Sequence, residues 1–150
     1  MGESLKIILP LFAGLLVVMA VIRFAIAWLR RRTYEHIRRK FAGKLIVRES
    51  IGAHFFGRSS LGMGQIRGNG VLVLTPGELF FLMFVPRREL TIPLDTITAV
   101  STPRSHLGKT VVMKLLRVDF ASETGEDAAA WSVQDPGRWV ADLDRYRTHQ

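Results

Sequence analysis

The chain has 150 residues, with 21 Lys and Arg against 13 Asp and Glu and a formal net charge of +8 at neutral pH. It contains no cysteine, which excludes disulfides, thiolate zinc sites and cysteine nucleophiles. The basic excess is uneven: residues 30–49 carry +6 and residues 123–150 carry −3, so the charge is gathered in one stretch, and no aromatic-basic sheet motif accompanies it as nucleic-acid binding would require.

Residues 5–29 organise the rest. From residue 7 to residue 22 (IILPLFAGLLVVMAVI) sixteen positions pass without a charge, and FAIAWL follows after Arg23. At about 1.5 Å per residue, residues 5–29 make a helix of about 37 Å, enough to cross a hydrocarbon layer of about 30 Å with tilt. The segment reads as one transmembrane helix. Arg23 lies near its end, where a long side chain snorkels toward the headgroups beside Trp28. Pro10 sits near the entry, where few backbone hydrogen bonds are lost. Ala13, Ala20 and Ala27 recur every seven residues, with Gly14 beside the first, a spacing that lets two such helices approach as a homo-oligomer.

Arg30, Arg31, Arg32, Arg38, Arg39 and Lys40 follow the apolar run, whereas Lys6 and the terminal amine precede it, opposed by Glu3. By the positive-inside tendency the chain is a single-pass cell-membrane protein whose C-terminal part is cytoplasmic. A cleaved signal peptide fits less well, because the run is too long, its leading region is barely basic, and arginines crowd the Ala25-Ile26-Ala27 site. Met1-Gly2 lacks the Ser or Thr at position 6 that myristoylation requires. Residues 30–42 continue the helical pattern, with Thr33, Ile37 and Phe41 four apart and Gly43 as a stop. The expected division is therefore an anchor over 1–29, a basic juxtamembrane helix over 30–43 whose cations face anionic headgroups, and one folded domain over 44–150.

Beyond Gly43 the periodicity becomes that of strands. Residues 44–56 read as a strand interrupted at Gly52, and residues 57–70 (GRSSLGMGQIRGNG) as a glycine-rich loop. Gly62, Gly64 and Gly68 do not make a dinucleotide fingerprint, since the third glycine is one residue late and no strand-loop-helix unit surrounds them. Residues 71–75 and 78–85 predict a hairpin about Pro76-Gly77. A basic turn at Pro86-Arg87-Arg88 leads to a strand over 89–92 that Pro93 ends, then to another over 98–102 and a loop over 103–108. Residues 110–121 read as a strand whose alternation changes phase at Leu116, the sign of a bulge or bend. An acidic turn over 122–127 and a short strand over 128–133 follow. Asp135 as N-cap and Pro136 at the first helical position predict a helix to about Arg147, with Trp139, Val140, Leu143 and Tyr146 on one face.

About seven strands followed by one amphipathic helix describe a mainly β domain, a small bent sheet or barrel with an open end that the helix plugs. The hairpin GVLVLTPGELFFL, the run ELTIPLDTITAV, LLRVDF with its acidic turn and the closing DPGRWVADL resemble, in pattern and order, the bacterial PH-like or GRAM-like domains often tethered to membrane helices. The resemblance covers about residues 44–147. It implies a C-terminal helix that caps the barrel and often carries a tryptophan, the place of Trp139, and a module that binds protein partners or the lipid surface. Some eukaryotic PH domains bind phosphoinositides through basic residues of the first strand pair and its loop, where Arg48, Arg58 and Arg67 stand here. Arg87, Arg88, Arg104 and Lys109, with His106, offer a second set for headgroup or partner contact.

Catalysis is not expected. His36, His54, His106 and His149 are scattered without ligand spacing, Ser59 and Ser60 lack a nucleophile-elbow context, and Glu126 and Asp127 fall in a turn where solvation is the ordinary state. No metal or cofactor is called for, and membrane lipids, a protein partner or a second copy are the partners implied. A membrane-tethered, five-stranded OB-like barrel acting as an accessory subunit is the alternative. It would have no integral C-terminal helix, so burial of Trp139 separates the two.

Overall fold

The computed structural model describes residues 2–148, with side chains from Ile7 onward; the terminal amine, the side chains of Glu3 and Lys6, and His149 lie outside the described part. The chain forms two compact units, Met1–Lys40 and Phe41–Gln150. The first is one helix, α1 (Gly2–Lys40), so the apolar and basic stretches form a single uninterrupted element that passes through Pro10. The large apolar side chains of residues 7–28 are exposed around its whole circumference. A helix without a polar stripe over this length suits an apolar surrounding. Among the described residues it is the one helix long and apolar enough to cross a membrane.

The second unit is built on one antiparallel sheet. In chain order its strands are β1 (Arg48–Arg58), β2 (Gly68–Leu74), β3 (Glu78–Met83), β4 (Arg88–Pro93) and β5 (Ile97–Ser101), then the two-residue pair β6 (Ser105–His106) and β7 (Lys109–Thr110), then β8 (Leu116–Ser122) and β9 (Gly125–Ser132). The seven longer strands are ordered β4-β3-β2-β1-β9-β8-β5. Long β1 is the hinge of this order: it pairs with β2 from Arg48 to Phe55 and with β9 from His54 to Arg58. Its register slips between Ile51 and Ala53, where Gly52 takes φ +86, and again between Phe55 and Gly57. Glycine at the first slip supplies a left-handed backbone that a β-branched residue resists, and the resulting bulges bend the strand so that it serves both halves of the sheet.

Alternation then separates two sides. The concave side gathers Phe55, Leu72, Phe81, Val118, Ala129 and Trp131 into one buried core. Phe55, Phe81 and Trp131 form its centre, with ring centroids 5.2 to 5.9 Å apart. Gly70 must remain small, because a Cβ there would stand 2.2 Å from the Leu82 carbonyl oxygen and 2.6 Å from the Phe81 ring. Helix α2 (Pro136–Arg147) closes the open end, placing fully buried Trp139 and Leu143 in the same core. The Asp135 carboxylate accepts from the Arg138 amide, so the expected cap is the one the helix uses. Seven strands and a Trp139 that is 1% exposed do not fit a five-stranded barrel without an integral helix.

Several boundaries differ from the sequence-based expectation. β1 starts four residues later than residue 44 and runs on through Arg58. Residues 103–108 are not plain loop: Ser105 and His106 pair with Lys109 and Thr110 about Leu107 and Gly108, both at positive φ. Residues 111–115 lie outside any strand, and the change of phase at Leu116 marks the start of β8 rather than a bulge inside it. The acidic turn is shorter than expected, since Gly125, Glu126 and Asp127 already belong to β9.

Candidate functional site

The structure divides the sequence-predicted basic residues into engaged and exposed groups. On α1, Arg31 lies 3.4 Å from Glu35, and Arg32 and Arg38 rest over the rings of Trp28 and Tyr34 at 4.1 and 5.7 Å, while Arg30 and Arg39 are exposed. Arg48 is engaged: its guanidinium meets Asp142 of α2 at 2.5 Å and lies 5.9 Å over Trp139, tying β1 to the capping helix. Arg58 is engaged as well, with Asp127 at 2.5 Å. Arg67 is half-buried, and its Nε and one terminal nitrogen are out of solvent with no protein partner. Arg87, Arg88, Arg104 and Lys109 are exposed.

Asp127 is the residue that sequence reasoning placed wrongly. Its side chain is 0% exposed and accepts from Arg58, from the Ser60 amide at 2.9 Å, from the Ser60 hydroxyl at 2.7 Å and from the Ala128 amide at 2.8 Å. Burial pushes this carboxyl up, but the Ser60, Arg58 and Ala128 donors outweigh it and hold it below the usual carboxylate range. Together these bonds fasten the short 3₁₀ turn Ser59–Leu61, and with it the start of the glycine-rich loop, to β9.

His106, too, is a buried polar group, at 3% exposure. One ring nitrogen, Nε2, donates to the Gly57 carbonyl at 3.1 Å, which leaves Nδ1 as an enclosed atom without a protein partner. Burial is the main cause that lowers its pKa, and the charges of Arg117 and Arg67 act the same way, so the neutral ring is favoured. Val111 packs against a small cluster of Phe56, Leu115 and Ala130 on the outward side of the sheet. Residues 102–115 therefore cross that side as a strap.

Arg58 and Arg88 come together with Glu89 at a cavity of about 110 Å³ that Phe55, Phe81 and Met83 also line. That volume is below the 300–1,000 Å³ of ordinary small-molecule sites and matches a single side chain. A wider open groove of about 560 Å³ runs between Ile51 and Gly52 of β1, Met113 and Lys114 of the strap, and the residues joining β9 to α2.

No protein-family model matches the chain, and no curated protein matches it. Solved structures do. The C-terminal domain of an unknown protein from Leishmania infantum aligns at a TM-score of 0.55 and 14% identity, over 79% of this chain and 97% of that one. The Vps36 N-terminal PH domain gives 0.49 and 14%, over 71% and 81% of the two chains, and a chain of the 8S snRNP assembly intermediate gives 0.48 and 10%, over 69% and 80%. At these identities the first likeness is one of fold alone, and the other two are too loose to build on.

Proposed function

We propose that this chain is a single-pass membrane protein presenting a PH-like, GRAM-like binding module at the cytoplasmic face of the cell membrane. The observation that carries the reading is α1, where the exposed apolar circumference of residues 7–28 passes without a break into Arg30, Arg31, Arg32, Arg38, Arg39 and Lys40. A span with its cations on one flank orients with that flank inward. β1 begins eight residues after Lys40, so the module follows the basic flank directly in the chain. The PH-like assignment is supported by seven antiparallel strands whose open end is closed by a C-terminal helix carrying buried Trp139. A binding role without catalysis is part of the same proposal, in keeping with Ser60, whose hydroxyl is committed to Asp127.

Orientation is tested by a single cysteine, which the Cys-free chain makes unambiguous. Glu123→Cys in the exposed β8–β9 turn is expected to react with a membrane-impermeant maleimide in inverted vesicles and to be protected in right-side-out ones. Labelling in right-side-out vesicles would contradict the reading.

A further inference from the structure

The strap of residues 102–115 is pinned at both of its ends. Inward it is held by the His106 bond to Gly57 and by Val111 and Leu115 against Phe56 and Ala130, and its own turn is closed by backbone bonds from Val111 to Arg104 and from Leu115 to Pro103 at 2.8 and 2.7 Å. Between the pinned Val111 and Leu115 the chain turns outward, leaving Val112 95% and Met113 66% exposed. The β1–β2 loop adds Met63, 73% exposed, whose sulfur lies 3.6 Å from where a Cβ on the strap's Gly108 would stand. Ile51, also exposed, lines the same groove as Met113. A segment fixed in place while its large apolar side chains face water marks a surface that something else covers.

Charge says what that is. In sequence no carboxylate occurs between Asp95 and Asp119, or between Glu49 and Glu78, and Asp135 is the acid that lines the groove beside Met113, whereas Arg104, Lys109 and Lys114 stand exposed along the strap. Lysine is depleted in protein–protein interfaces. Exposed lysines flanking apolar tips are the pattern of a surface that sinks shallowly among anionic headgroups, where apolar side chains reach the acyl boundary and each cation adds attraction. We propose that the strap, together with Met63, is a lipid-contact surface with which the module lies on an anionic bilayer, an inference that rests on the membrane-anchored reading above.

The test uses the full chain in lipid nanodiscs of phosphatidylcholine alone or with phosphatidylglycerol. Met63→Cys, Val112→Cys and the control Glu123→Cys each carry an environment-sensitive fluorophore. On anionic discs the labels at positions 63 and 112 shift to the blue and are quenched by doxyl lipid, the label at 123 does not change, and the double substitution K109E/K114E abolishes the shift at 112. Labels at 63 and 112 that stay aqueous on both discs overturn the proposal, as does an equal shift on neutral and anionic discs, or a shift that appears only when soluble protein is added. Incorporation is read separately by co-elution with the disc. A chain that does not co-elute contradicts the anchor, and the lipid-contact assignment with it; one that co-elutes with unshifted labels contradicts the lipid-contact assignment alone.

Discussion

At the scale of residues, the module depends on polar groups placed where the sequence looks like surface. Asp127 gathers donors from β1, from the 3₁₀ turn and from its own strand, so removing it strands the Arg58 guanidinium and frees the turn together. Arg58 is itself 28% exposed, so its charge is left partly solvated; losing hydrogen bonds to a charged group costs about 1.5–3 kcal/mol, and Asp127→Ala is expected to lower unfolding stability by that order, read by tryptophan fluorescence in denaturant titrations of the detergent-solubilised chain. The pH dependence has a definite sign. A carboxyl held low when folded contributes its full stabilisation above the unfolded Asp value of about 3.9 and loses it as pH falls through the lower folded value. Stability should therefore drop in that acid range in the wild type, and Asp127→Asn should flatten the drop. Neither Asp127 nor His106 was legible as a buried group, because short polar residues beside Gly125 or in the stretch PRSHLG carry the composition of turns, and only non-local contacts with Arg58, Ser60 and Gly57 show otherwise.

At the scale of elements, legibility follows locality. The Pro76-Gly77 hairpin, the Asp135 cap and the apolar face of α2 are set by residues adjacent in sequence, and each was readable; at Gly52 an interruption was expected and the strand instead runs on through a bulge. The strap was not. Val111, Met113 and Leu115 alternate like a strand, yet Val111 and Leu115 point inward because Phe56 and Ala130 lie beneath them, while Met113 is exposed. The β6–β7 turn was hidden by Leu107, since Asn or Asp is the usual residue at that left-handed position. Helix α2 offers a graded test of how the barrel is closed. Asp135→Ala removes a cap worth about 1 kcal/mol, whereas Trp139→Ala opens a core cavity worth about 3–5 kcal/mol. Denaturation midpoints should fall in that order, and equal losses would mean that the helix lies outside the cooperative core.

At the scale of the whole molecule, hydropathy and charge alone give a long apolar helix, a basic flank and a strand-rich module, because each is a property of a contiguous stretch. The order of strands is different in kind. Pairing β1 with β9 joins residues more than seventy positions apart, and no local pattern announces it. The two units also answer to different solvents: the second has a buried apolar core of its own, and the first has apolar side chains exposed on all sides. In water, that second condition is what aggregation or insertion relieves. The most direct measurement is alkaline carbonate extraction of membranes from cells expressing the full chain. The account predicts that the protein stays with the lipid pellet and enters the supernatant only with detergent. Release into the supernatant by carbonate alone would contradict it.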